Sequence, residues 1–282
     1  MRITTLIENE PSTGRQDLVA EFGLSMLVET GQGTILFDTG TTGAFADNAL
    51  AMGIDLEKVD AAVLSHHHFD HGGGLSRFIK INDHAPVYLR KAPMVDRIFS
   101  LAGIIKRPIG LDPDPFERHP DRFVEIDSRC EISPGVFLIT DMQSNHARPR
   151  GNRHLKTMTD DGPAPDTFDH ELMMVVHQEG GLVVFTGCSH HGVLNMVETA
   201  QISFPDSTIA AVVGGFHLVG LPMFNSMAGS RAEVEQLARD LGDLCHGTVH
   251  TGHCTGRKAT AVLKKILDDR LVVFETGSSF EI

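Results

Sequence analysis

The chain has 282 residues, a formal net charge of −13, 41% hydrophobic and 22% charged side chains. It is long enough to bury a large α/β core, and its acidic balance argues against nucleic acid or an anionic membrane surface as a partner, because phosphate binding rests on a basic footprint. No apolar run approaches the ~20 residues that span a bilayer, Met1–Glu8 has no secretory pattern, and Cys130, Cys188, Cys245 and Cys254 form no C-x-x-C pair and read as reduced thiols. The expected location is the cytoplasm.

Ile3–Glu8 reads as a strand and Pro11–Arg15 as a loop. Leu24–Thr30 and Thr34–Asp38 form a hairpin around Gly31-Gln32-Gly33. A helix over Gly43–Met52 follows, and Ile54–Lys58 leads into the apolar strand Val59–Leu64. That strand opens onto Ser65-His66-His67-His68-Phe69-Asp70-His71-Gly72-Gly73-Gly74. In extended chain, alternate residues project to one side, so His66 and His68 can converge on one ion while His67 points away. One turn on, Asp70 and His71 can face a second ion. The glycines permit close backbone approach before a helix begins at Leu75.

Two regions read as irregular. Ala92–Phe123 carries Pro93, Pro108, Pro113, Pro115 and Pro120, which leave little of its second half able to be regular helix or central strand. Gln143–Asp169 gathers His146, Arg148, Arg150, Arg153, His154 and Lys156; this is either a solvated loop or a lid whose Arg148, Arg150 and Arg153 contact an anionic substrate. A second hairpin, Glu171–His177 and Leu182–Cys188, repeats the design of the first, and both place Thr-Gly beside a metal-capable side chain, Asp38 or Cys188. Ile209–His217 is a further strand end, Ser230–Leu244 a helix with Ser230 as N-cap, Gly247–Gly256 a strand running into a loop, Lys258–Leu267 a helix and Leu271–Glu275 a last strand. No composition break marks a second domain. Residues 1–282 are therefore expected to form a single domain of two β-α halves, with irregular substrate-side loops at 92–123 and 143–169.

The spacing His-x-His-x-Asp-His, after an apolar strand and before a glycine run, resembles the signature of the metallo-β-lactamase superfamily. The resemblance implies an α/β fold, a four-layer αββα sandwich with the metal site at one sheet edge. It also implies two divalent metal ions, zinc, with Mn2+ or Fe2+ as alternatives. Each zinc-like ion takes about four donors, so His66, His68, Asp70 and His71 need company. Thr251-Gly252-His253-Cys254-Thr255-Gly256 resembles the family's final metal loop, which carries over His253. Phe185-Thr186-Gly187 leads to an acid in many relatives; here Cys188 stands in its place, as a thiolate ligand or a buried apolar side chain. The family's third-motif histidine has no counterpart in register near Asp166–Asp169, with His170 close by but out of step, and His190 is assigned as the replacement donor. Asp38 matches the family acid that orients ligands. Asp70 and His217 are the candidate catalytic residues, Asp70 orienting water and His217 contacting substrate or serving as a ligand unless it is a core or loop histidine.

Gly-Cys-Ser-His-x-Gly-Val-Leu-Asn, Gly-Gly-Phe-His-Leu and His-Cys-Thr-Gly resemble the branch of the superfamily that includes the methanopterin-pathway dihydropterin-methyl ribofuranosylaminobenzene phosphate synthase and bacterial relatives. What this implies is a metal-dependent hydrolase whose dinuclear site activates water against a small anionic or phosphorylated ester-type substrate. The alternatives are a pterin-linked transferase of the synthase type and an iron-dependent redox protein of the same fold.

Overall fold

The computed structural model describes residues 1–221 and 226–282. The chain divides into two compact units, one made of Met1–Asp127, His154–Leu172 and Glu275–Ile282, the other of Ser128–Arg153 and Met173–Phe274.

The first unit is built on a sheet with the strand order Ser279–Glu281, Arg2–Ile7, Ser25–Thr30, Gly33–Phe37, Ala61–Leu64, Val87–Arg90 and Phe123–Ile126. Its pairings are antiparallel up to Gly33–Phe37 and parallel beyond. The parallel strands are joined by crossovers containing the helices Ala44–Ala51, Leu75–Ile81 and Asp114–Arg118. Phe45 and Phe78 from the first two of these helices are fully buried with Leu36 and Leu64 of the sheet. Burial of such side chains contributes roughly 1.5–3 kcal/mol each.

The second unit repeats the plan. Cys130–Ser133, Val136–Ile139, Met173–Gln178 and Gly181–Phe185 are antiparallel; Ile209–Gly214, Cys245–Thr251 and Leu271–Val273 continue the sheet in parallel. Its helices are Val193–Ser203, Arg231–Leu244 and Arg257–Leu267. Ser230 caps the middle one, accepting from Glu233 N while the Glu233 side chain accepts from Ser230 N. Val193–Ser203 carries a blurred apolar stripe, because Asn195 and Thr199 are polar yet buried and Ile202 is apolar yet exposed.

The regions expected to be irregular depart from that reading. Arg97–Leu101, Ile105–Pro108, Leu155–Thr159 and Gly162–Pro165 form a four-stranded antiparallel sheet in the first unit. Pro108, Pro163 and Pro165 all lie in its two edge strands, where a missing N–H breaks no ladder. The last expected strand stops at Val273, and Ser279–Glu281 instead pairs with Arg2–Ile7.

Candidate metal centre

In the first unit, buried strand Ala61–Leu64 delivers Ser65–His68 in extended conformation, and the short helix Phe69–Gly72 turns Asp70 and His71 back. Asp38, at the end of Gly33–Phe37 with φ +60°, is the hub. Its carboxylate accepts from Ser65 N at 2.7 Å and from Ser65 Oγ at 2.8 Å, and lies 2.6 Å from His71 Nδ1. Ser65 Oγ is in turn 2.9 Å from His66 Nδ1. With His71 Nδ1 on this acid and His66 Nδ1 on the Ser65 hydroxyl that the acid holds, the Nε2 lone pairs are the ones presented as donors. Thr39 N and Leu24 N donate to the carbonyls of His71 and Asp70 at 2.7 and 3.1 Å, fixing the turn. A Cβ on Gly73 would collide with the Thr41 carbonyl oxygen, so this close approach requires glycine.

His67 turns away, with Nε2 3.1 Å from the Arg90 carbonyl oxygen. His68 has a second group of neighbours, for it, Asp166 and His170 each offer an atom within 4.8 Å of the others. His170 Nδ1 accepts from His67 N at 3.0 Å, while Nε2 faces Asp166 Oδ2 at 3.3 Å. Both nitrogens are thereby engaged, which suits His170 to holding the loop rather than ligating. Arg97 Nε stands 3.6 Å from the same carboxylate. Burial works to raise the Asp166 pKa, but the hydrogen bond and charge of His170 prevail and hold it below the usual carboxylate range. Burial, then the charge of His170, pushes His68 well below the ordinary histidine value, so its imidazole is neutral and able to donate a lone pair.

In the second unit, metal-capable side chains come from successive strand ends. Cys188 follows Gly181–Phe185, His217 follows Ile209–Gly214 and His253 follows Cys245–Thr251. Cys188, His190 and His217 offer atoms within 4.8 Å of one another, and the His190 and His217 ring centroids are 4.4 Å apart. Asn152 Oδ1 lies 2.9 Å from His190 Nδ1, and its Nδ2 donates to the His190 carbonyl at 2.8 Å, so Asn152 sets both tautomer and position. His217 N donates to Cys254 Sγ at 3.3 Å, and the ring's buried Nδ1 makes no hydrogen bond. Ser189, His217 and His253 all have left-handed φ, at +57°, +47° and +49°. Non-glycine residues held so at strand ends store about 1–3 kcal/mol of strain each. His253 is buried within the turn His253–Thr255. Arg148, Arg150 and Arg153 are exposed, and Arg150 pairs with Glu233.

Neutral buried imidazoles, a thiol and carboxylates are the donor set that divalent metals take. The rings of His66 and His71, held through Ser65 and Asp38, fit that use, and the buried Nδ1 of His217 belongs to a residue grouped with Cys188 and His190. The family model of the metallo-beta-lactamase superfamily matches residues 18–253. The chain belongs to the metallo-β-lactamase superfamily.

Among curated superfamily relatives, the chain is 28% identical over 259 residues to 7,8-dihydropterin-6-methyl-4-(beta-D-ribofuranosyl)-aminobenzene-5'-phosphate synthase of Methanocaldococcus jannaschii, covering 85% of this chain and 83% of that one. It is also similar to the crystal structure of Tm1679, a metal-dependent hydrolase of the beta-lactamase superfamily, at 29% identity and TM-score 0.82 over 100% of this chain and 99% of that one. Zinc-bound PqqB from Methylobacterium extorquens shares the fold, with TM-score 0.56 and 11% identity over 100% of both chains. The fold class expected from the histidine motif is therefore the one present. Superfamily members typically bind divalent metals, and metal-capable groups occur in each unit.

Asp166, His170, Arg97 and Asn152 carry no assignment from the sequence. The Asp-x-x-x-His spacing before the second hairpin was the available signal for the first two. Arg97 and Asn152 sit in segments dominated by proline or exposed charge and give none.

Proposed function

We propose that the protein is a metal-dependent hydrolase whose dinuclear site draws on His66, His68, Asp70, His71, Cys188, His190 and His253, with zinc as the metal. The substrate is a small anionic or phosphorylated ester-type molecule. The observation that carries this reading is the Asp38–Ser65 lock on His66 and His71, which fixes two imidazoles with Nε2 presented before any ligand arrives. Bound there, divalent ions would supply Lewis acidity toward a carbonyl or phosphoryl oxygen and a water acidic enough to ionise near neutral pH. Asp70 orients the attacking water through its carboxylate. His217 contributes a ring nitrogen toward the substrate oxygen, its position held by the His217 N to Cys254 Sγ contact. The enzyme works in the cytoplasm on a small molecule, with neither nucleic acid nor membrane as partner.

The test is hydrolysis of phosphomonoester, phosphodiester, lactone and thioester probes by zinc-loaded protein. His68→Ala or Asp70→Ala should lower the rate at least ~10²-fold; unchanged turnover would remove the metal mechanism, and native protein carrying only iron would overturn the hydrolase reading. The 28% identical synthase favours a second reading, pterin-linked group transfer. Formation of a pterin-ribofuranosylaminobenzene phosphate product in place of hydrolysis would move the assignment there.

A further inference from the structure

The second unit contains a cleft of about 280 Å³ lined by Val193, Leu194, Phe216, Leu218, Val234 and Leu237. Arg148, Arg150, Glu233 and Asp240 also line it, so its cations and anions balance, and Arg150 is paired with Glu233. His146, at the same cleft, lies 2.8 Å from Glu198. Discrimination in the cleft therefore rests on apolarity and size rather than net charge.

Its position in the chain ties it to the candidate donors. Phe216 immediately precedes His217, and Gly192, which also lines the cleft, is two residues beyond His190. Gly151 follows Arg150, and a Cβ there would stand 2.8 Å from His217 Cδ2, so this segment lies directly against the His217 ring. Three segments thus run from the cleft lining to His190 or to the His217 ring, although neither histidine itself lines the cleft. We propose that the cleft binds the compact apolar portion of the substrate, an alkyl or acyl segment of a few carbons, whose head group is held at His190 and His217. This rests on the hydrolase reading. The volume sits at the small end of ligand pockets, which run roughly from 300 to 1,000 Å³, and has room for a few carbons.

The experiment measures calorimetric binding of n-alkylphosphonates, methyl to pentyl, to zinc-loaded protein. Each buried methylene is worth up to ~4-fold in affinity, so the pentyl compound should bind at least ~10-fold tighter than the methyl one. Ala228→Trp, which places a ring at the cleft lining, should cut that ratio below ~3-fold, whereas Leu237→Ala should shift the preference to longer chains. Absent or length-independent binding overturns the proposal, as does a ratio that both substitutions leave unchanged. Because binding is read without turnover, a protein that hydrolyses no probe yet keeps the length dependence would overturn the hydrolase reading and leave the cleft standing.

Discussion

In the first unit His66, His68, Asp70 and His71 come from a single loop, whereas in the second Cys188, His190, His217 and His253 come from three, although the two sheets share one order of antiparallel then parallel strands. The corresponding strand ends carry different chemistry: Asp38 follows Gly33–Phe37 and orients its neighbours, while Cys188 follows Gly181–Phe185 and belongs to a group of side chains that could hold a metal. One unit concentrates its organisation in a buried carboxylate. The other distributes it over left-handed backbone turns and the neutral amide of Asn152.

That contrast breaks first at Asp38. Asp38→Ala removes a buried acceptor serving Ser65 N, Ser65 Oγ and His71 Nδ1 together, leaving buried donors without their acid. The expected loss is about 3–5 kcal/mol by urea denaturation of the metal-free protein. Asn152→Ala removes neutral hydrogen bonds at the half-buried equivalent and should cost about 1–2 kcal/mol. Equal losses would mean that the organisation is as concentrated in the second unit as in the first.

Acid sharpens the comparison next. Burial depresses His67, His68 and His170 in the first unit and lowers His250 in the second from 6.5 to about 4. Below pH 6.5 the unfolded chain takes up a proton that folded His250 refuses until about pH 4, so the stability is complete above 6.5 and is lost as pH falls through that window. For His250 alone the loss amounts to about 3 kcal/mol at ~1.4 kcal/mol per pKa unit. Urea midpoints of metal-free protein between pH 7 and pH 4 should fall steeply, and His250→Gln should flatten the slope by its own share. An unaltered slope would place the acid sensitivity wholly in the histidines of the first unit.

The contrast also explains what the sequence made legible. A loop that packs alternating donors within a few residues announces itself, because spacing along an extended strand and one helical turn dictates which side chains meet. The hairpins and the helix capped by Ser230 were legible for the same local reason. Asn152 beside His190, and Arg97 beside Asp166, meet only through tertiary folding, and no local period records such pairs. The small sheet was hidden because proline content speaks against central strands and is silent about edges.

The smallest effect separates conformational strain from donor placement. Gly192 has φ +93° with ψ 128°, and Gly53 has φ +73°, both at positive φ, where a Cβ costs about 1–3 kcal/mol. Neither faces a backbone collision: a Cβ on Gly53 meets nothing within 4 Å, and one on Gly192 comes to 3.3 Å from Asn195 Nδ2 and 3.4 Å from the Ala147 carbonyl oxygen. Alanine should therefore lower stability by about 1 kcal/mol at Gly53 and by up to ~3 kcal/mol at Gly192, through the backbone alone. Their consequences for zinc affinity differ, because Gly192 lies two residues from His190 at the entrance of Val193–Ser203, whereas Gly53 lies just past the C-terminus of Ala44–Ala51 in the first unit. Gly192→Ala should weaken zinc binding by competition titration and Gly53→Ala should leave it unaltered. If both leave it unaltered, the turn at Gly192 shapes the helix entrance without positioning His190, and the second unit's donors depend on Asn152 more than on their own backbone.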